Sequence, residues 1–476
     1  MTARVDWLVL GNAMLGNFLG GVSTRTLLIG LPTVADGLGT DIVGVSWTLI
    51  SFQLATISLS IVFGRLGDIY GRHLIYGLGF VTITASAALC GLSQSVVQLV
   101  VFRFFQGLGS AMTQSAGRAL AVDAMPEGSV GKSQGLMTLA FHSGFLAGPP
   151  LGGLIIQHLN WRWIFFLLVP IGLVGSILAS VRFKGRGVPG TRRSVDYAGS
   201  AMFIALMVML IALLDRQVAE RLWIGHKSVL ALTFAGMLLG FLIMETRATS
   251  PMLNLSLFRI RMFTYSVIAA FSLATTYGLV DFMMPFYLQE VLHLTPTFIG
   301  IIFLAAPVFT MTLAPLSGTL ADRIGPRIPA TIGVVPFIAS SLLGVFLRVD
   351  SHWLLPTLML ALTGIGNALF NTPNHTAVFG SLPREDRGLA TGIIHTIFGL
   401  GNTLGISMGG ALLTIAFQHY SGIEGATPRP DSPFAFVSAM NVCYLAAGLM
   451  SVVAFVFSLM RGDARSQASR AIPPEV

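Results

Sequence analysis

Charge and sulfur are both scarce in this sequence. Of its 476 residues only 10% are charged and two are cysteine. Cys90 and Cys443 fall inside apolar runs, where a thiol behaves as a small hydrophobe, so neither a disulfide framework nor a thiolate metal cluster is implied. There is no glycine-rich nucleotide-binding loop, no metal-ligand spacing and no nucleophile motif, and no soluble stretch is large enough to hold an ATPase. The expectation is therefore a protein that is not an enzyme and takes no cofactor, its work driven by an ion gradient or by the gradient of its own substrate. A net charge of +8 could suit nucleic acid, but the basic residues sit in short loops and not on one soluble face, so no nucleic-acid partner is expected.

What the chain has in abundance is apolar sequence. Its residues are 54% hydrophobic, gathered into runs of about 20, the length that crosses the hydrocarbon core of a bilayer. About fourteen such runs can be read, from Trp7–Leu31 to Phe434–Met460. The first is too long for a signal-peptide core and has a single basic residue, Arg4, ahead of it, so it is read as a true span with a cytoplasmic N-terminus. In that orientation roughly 19 of the 28 Lys and Arg fall in cytoplasmic segments and about 6 in periplasmic ones. The densest cluster, Arg182, Lys184, Arg186, Arg192 and Arg193, lies in a Gly/Pro-containing connector, where it fixes orientation and attracts anionic lipid.

The sequence repeats itself. Laying Arg103–Leu154 over Leu360–Ala411 without a gap matches Gly107 and Gly109 with Gly364 and Gly366, and Pro126 with Pro383. The same register matches Gly144, Gly148, Gly152 and Gly153 with Gly401, Gly405, Gly409 and Gly410. At nearly the same spacing, the loop Gly64-Arg-Leu-Gly-Asp68-Ile-Tyr-Gly71-Arg72 matches Gly318-Thr-Leu-Ala-Asp322-Arg-Ile-Gly325-Pro-Arg327. Transporter folds commonly consist of such repeats packed around a substrate site. The predicted organisation is a first six-helix bundle over residues 1–183 and a connector with two inserted spans, Tyr197–Leu214 and Val229–Met244, over 184–254. A second six-helix bundle over 255–461 and a cytoplasmic tail, 462–476, complete it.

These residues resemble the major facilitator superfamily, and within it the fourteen-helix drug:proton antiporter branch. Gly64 to Arg72 looks like the superfamily's loop between the second and third helices, with Gly318 to Arg327 its degenerate copy. Leu99-Val-Val-Phe-Arg103-Phe-Phe-Gln106-Gly107-Leu-Gly109 looks like the fourth-helix signature, and Gly144-Phe-Leu-Ala-Gly148-Pro149-Pro-Leu-Gly152-Gly153 like the antiporter-type signature of the fifth. Trp161 to Gly172 and Pro251 to Phe258 are similar to the branch's approaches to its sixth helix and its second half. The resemblance implies an all-α polytopic protein of the cell inner membrane, monomeric, with both termini cytoplasmic. It implies proton-coupled export of an amphipathic or hydrophobic small molecule by alternating access, with membrane lipid as surroundings.

Several site roles follow, each with a plainer alternative left open. Asp68 with Arg72, and Asp322 with Arg327, would form a cytoplasmic latch, or simply a solvated basic turn. The glycines four apart on the fifth span, with Pro149 removing a helix hydrogen bond, would make a bendable seam or static packing. The resemblance links Arg103 to proton coupling, while structurally such a residue holds its helix to neighbouring polar groups.

The first span departs from the branch. Where an acid is usual the chain has Ser23, and Arg25 lies about 200° around the helix from it; the usual sixth-helix Asn is Leu168. Both changes weaken the assignment of cationic drugs. Asp281, on the ninth span, is the one carboxylate read as lying deep in the membrane. An Arg25–Asp281 ion pair across the halves, a separate proton site at Asp281, and snorkelling of both side chains are the three readings. Ser23, Gln53, Gln106, His142, Tyr277, Asn371 and Asn374 are candidate cavity residues, or interhelical glue. Two other functions stand beside export: transport of an organic anion with Arg25 as counter-charge, and a non-transporting sensor or lipid-interacting membrane protein.

Overall fold

A computed structural model describes residues 5–125, 130–182, 227–247, 255–380, 387–423, 425–428 and 432–462, with isolated positions between 199 and 209. Every regular element among them is helical. The chain splits into two compact units: Met1–Met252 with Leu294–Ile301, and Leu253–His293 with Ile302–Val476.

In the first unit, α1 (Trp7–Leu38), α2 (Ile42–Tyr70), α3 (Arg72–Leu92), α4 (Val96–Asp123) and α5 (Val130–His158) are followed by α6 (Trp163–Phe166), α7 (Leu168–Arg182) and α8 (Lys227–Arg247). In the second, α9 (Arg261–Phe286) runs into a single π turn, Tyr287–Val291. The short α10 (Pro296–Ile302) belongs to the first unit but for its last residue, and the second continues with α11 (Ala305–Ile324), α12 (Arg327–Val345), α13 (Leu354–Gly380), α14 (Arg387–Ser421) and α15 (Pro433–Met460).

Several helices outrun the apolar sequence because their ends are set by caps. Hydropathy stops the first run at Leu31, yet α1 continues to Leu38 and closes on Gly39 at φ 62°. Asp41 then caps α2, accepting from the Gly44 amide at 2.7 Å, which satisfies an otherwise orphaned N–H of the first turn. Two predicted spans are each broken in two. Pro170 lies four residues after Phe166, where α6 ends, and Pro307 four after Phe303, just beyond α10. A proline lacks the amide that would bond that carbonyl and its ring crowds it, so both helices restart.

Among the described residues 12 helices are long and apolar enough to cross a membrane. Of the two spans expected between the halves, Val229–Met244 falls in α8, whose apolar stretch is Leu232–Thr246, while Tyr197–Leu214 lies largely outside the described residues, as does the basic cluster from Arg182 to Arg193. The long helices carry apolar residues outward as well as inward. Leu74, Leu78, Val81 and Leu89 of α3, and Leu445, Leu449, Val452 and Val456 of α15, are exposed at helical spacing. Such stripes suit contact with lipid, and the chain is an integral membrane protein.

The internal repeat is also a repeat of packing. In the first unit α1 packs on α5, and α4 on both α2 and α3; in the second α9 packs on α14, and α13 on both α11 and α12. The matched glycines make these approaches possible. A methyl group at Gly144 would fall on the Phe18 carbonyl of α1, and one at Gly405 on the Thr275 carbonyl of α9. Gly71 and Gly325, the matched loop glycines, both turn the chain at positive φ, 101° and 88°.

Candidate functional site

The centre of the first unit holds two buried guanidinium groups. Arg103, seven residues into α4, is 1% exposed. Its Nε donates to the Thr48 carbonyl of α2 at 3.1 Å, and its Nη1 to Ser23 Oγ of α1 at 3.2 Å and to Gln106 Oε1 at 2.7 Å. The guanidinium lies over the Phe52 ring, 4.2 Å from its centroid. One side chain therefore ties three helices together. Among the described residues it has no carboxylate partner, and its Nη2 and the Gln106 Nε2 are both buried without an acceptor.

Arg25 is 7% exposed on α1, its guanidinium 4.0 Å from the centroid of Phe145 on α5. The signature glycines of α5 make room for it. A methyl at Gly148 would come within 2.9 Å of Arg25 Cβ, and one at Gly152 within 2.9 Å of the Thr26 carbonyl. The other face of the same motif meets α10. Methyls at Gly153 and Gly300 would strike the backbones of Pro296 and Pro149, and Gln157 Oε1 accepts from the Thr297 amide at 3.2 Å. The motif thus serves two seams, since Gly144, Gly148 and Gly152 face α1 while Pro149 and Gly153 face Pro296–Gly300.

Of the other polar candidates in this unit, Gln53 and His142 are half-buried, and His142 stands edge-on to Phe141 and Phe145. Asn12 and Asn17, also polar at membrane depth, bind across helices to the carbonyls of Gly175 and Met137. In the loop motif, Arg72 Nη1 meets Asp123 Oδ2 at 3.1 Å. Asp123, at the C-terminal end of α4, is an acid that the motif by itself does not name. The Asp68 and Asp322 side chains lie outside the described residues, and the Gly64 backbone continues α2 without a close neighbour but Ser115. Glu245 is a second carboxylate that hydropathy misses: it is 2% exposed one residue beyond the predicted end of its span.

In the second unit Asp281 is 8% exposed on α9, twenty residues from its start, amid buried apolar neighbours. Tyr277, one turn earlier, stands edge-on to Phe337, with ring centroids 6.4 Å apart. Asn371 bonds Asn367. Asn374 is 2% exposed and its Oδ1 accepts from Arg461 Nη1 at 3.2 Å. Arg461 is the functional-looking residue that sequence reasoning missed. It follows directly on the last run, where a basic residue is ordinarily solvated, yet it is fully buried against Ser458, Asn374 and the Phe370 ring. Burial, with the Arg327 charge adding, pushes its guanidinium down to about 10. Arg327 itself donates from Nε to the Leu459 carbonyl at 2.9 Å.

Comparison with known proteins agrees with this architecture. The Major Facilitator Superfamily profile matches residues 13–266 and 266–475, nearly the whole chain. The riboflavin transporter RibZ of Clostridioides difficile is 25% identical over 96% of this chain and 97% of its own. The multidrug transporter protein MdtP of Bacillus subtilis is 25% identical over 85% of this chain and 75% of its own. Among solved structures, a bacterial homologue of the human lysosomal transporter Spinster, inward-facing and occupied, superposes with a TM-score of 0.70 at 15% identity, over 98% of both chains.

Proposed function

Because the chain belongs to the Major Facilitator Superfamily and is a secondary transporter and not an enzyme, we propose that it exports an amphipathic or hydrophobic small molecule in exchange for protons. Its two helical halves expose a central site alternately to either side of the inner membrane. Both termini are cytoplasmic, the two segments between the halves complete a fourteen-span chain, and the working unit is a monomer. Relatives named as a multidrug transporter and as a multidrug resistance protein support the cargo class.

The observation that carries the coupling is Asp281, a buried carboxylate in a 26-residue apolar helix. An acid at membrane depth is costly to keep charged and exchanges its proton as its surroundings change. In this reading Asp281 pairs with Arg25 when the periplasmic side closes, and protonation of Asp281 releases the pair. Arg103 holds α1 and α2 to α4 while this happens. The test is Asp281→Asn in proteoliposomes. It should lose substrate movement driven by a pH gradient while keeping downhill exchange of labelled substrate. Undiminished gradient-driven transport in that variant removes Asp281 from the mechanism.

A second reading, transport of an organic anion with Arg25 as its counter-charge, is favoured by the two buried guanidinium groups of the first unit. Assays of acidic against cationic compounds in inverted vesicles separate the two.

A further inference from the structure

The Arg103 site is chemically incomplete. Its 2.7 Å contact with Gln106 settles the orientation of that amide, because only the oxygen can accept from the guanidinium. The amide nitrogen is therefore turned elsewhere, and it finds no acceptor. Arg103 Nη2 finds none either. Each orphan donor shares a carbon with an atom of that contact, Nη2 with Nη1 on Cζ and Nε2 with Oε1 on Cδ. The nearest side-chain oxygen supplied by α1 is a neutral hydroxyl, Ser23 Oγ. The result is a fixed positive charge, two spare N–H donors on adjacent groups and an O–H, all in side chains no more than 7% exposed, with no described carboxylate to balance them. Buried charges are normally paired, and buried donors are normally satisfied.

We propose that Arg103, Gln106 and Ser23 form a binding site for a monovalent anion, either chloride or the carboxylate of an organic acid. The guanidinium Nη2 and the amide Nε2 donate to it, and the Ser23 hydroxyl turns its proton toward it while still accepting from Nη1. This assignment does not depend on proton antiport. A transporter of uncharged cargo holds a solution ion there, and a transporter of acids presents the site to the cargo itself.

The full chain in nanodiscs of neutral lipid provides the test. Its two free cysteines are both buried, so a thiol-reactive fluorophore reports thermal unfolding. The protein is titrated with sodium chloride or sodium benzoate, at constant ionic strength made up with the sodium salt of a bulky sulfonate. The expected result is a saturating rise in unfolding temperature with at least one of them. Chloride alone identifies a solution ion, and benzoate a cargo carboxylate. Ser23→Asp supplies the missing anion from α1 and should abolish the response. Gln106→Leu removes one donor and should raise the half-saturating concentration about tenfold. Absence of a saturating rise in the unaltered protein, or an unchanged response in a folded Ser23→Asp variant, overturns the proposal. Should Ser23→Asp fail to fold, an unchanged half-saturation in Gln106→Leu overturns it equally. No gradient is present, so failure here is distinct from failure of the transport reading.

Discussion

Ser23 Oγ accepts a hydrogen bond from Arg103 Nη1 at 3.2 Å. The position at which the first span departs from the branch it resembles is thus the one that faces the buried arginine of α4, and a neutral hydroxyl sits where a carboxylate would have cancelled the charge. The electrostatic consequence is local: a guanidinium without a described carboxylate beside it disfavours a second cation there.

Arg103 makes three hydrogen bonds with a planar fork, and a lysine cannot reproduce them. Arg103→Lys should keep the positive charge yet reduce the transport rate at least about tenfold, because α1 and α2 lose their common tie to α4. Initial-rate measurements in vesicles, normalised to the amount of protein inserted, check this.

The α1–α5 seam has no room for a methyl group. Gly144→Ala drives Cβ onto the Phe18 carbonyl and should lower stability by about 1–3 kcal/mol. Gly11 on α1 has nothing within 4 Å, so Gly11→Ala should be neutral or stabilising by about 0.5–1 kcal/mol. Detergent unfolding curves of the two variants, read side by side, separate packing from helix propensity.

Gly325 isolates backbone conformation from packing, since an added Cβ meets nothing while φ is 88°. Gly325→Ala should cost about 1–2 kcal/mol from strain alone. An equal unfolding midpoint for variant and parent would contradict this account of the loop.

Asn374→Ala leaves a fully buried guanidinium without one of its acceptors. The expected loss is about 1.5–3 kcal/mol of stability, with substrate preference unchanged if the residue serves only to hold Arg461. With its guanidinium still protonated well above neutrality, at about 10, the loss should be the same at pH 6 and pH 8. Unfolding temperatures at the two pH values, alongside a competition assay, distinguish this structural role from substrate binding.

The Arg72–Asp123 pair is substantially exposed, its side chains 38% and 58% accessible. An exposed pair of this kind contributes at most about 1 kcal/mol and is screened by salt. Asp123→Asn should therefore leave the unfolding midpoint nearly unchanged. Any effect should fall on transport rate, and it should shrink as ionic strength rises.

Much of this was legible before any coordinates. The helical class follows from the cost of unpaired backbone in hydrocarbon and the repeat from the matched glycines and loop motif, whereas burial of Arg25 and Asp281 stood beside snorkelling of both side chains as an open reading. Cap chemistry was less legible, and so α1 and α2 run past their apolar segments. Asp123, Glu245 and Arg461 escaped because each stands at the end of a run, where hydropathy assigns a residue to water by default. Arg461 is instead enclosed by Phe370, Asn374 and Ser458, and two of these belong to a helix far away in the sequence.

The sequence by itself determined which solvent this protein lives in, which segments repeat and which glycines permit close approach, because each of these is a property of composition or of short-range spacing. Only the tertiary structure decided which polar groups meet. Ser23 and Arg103 lie eighty residues apart, and whether two such groups share a hydrogen bond depends on how three helices rotate and pack, which no local pattern records.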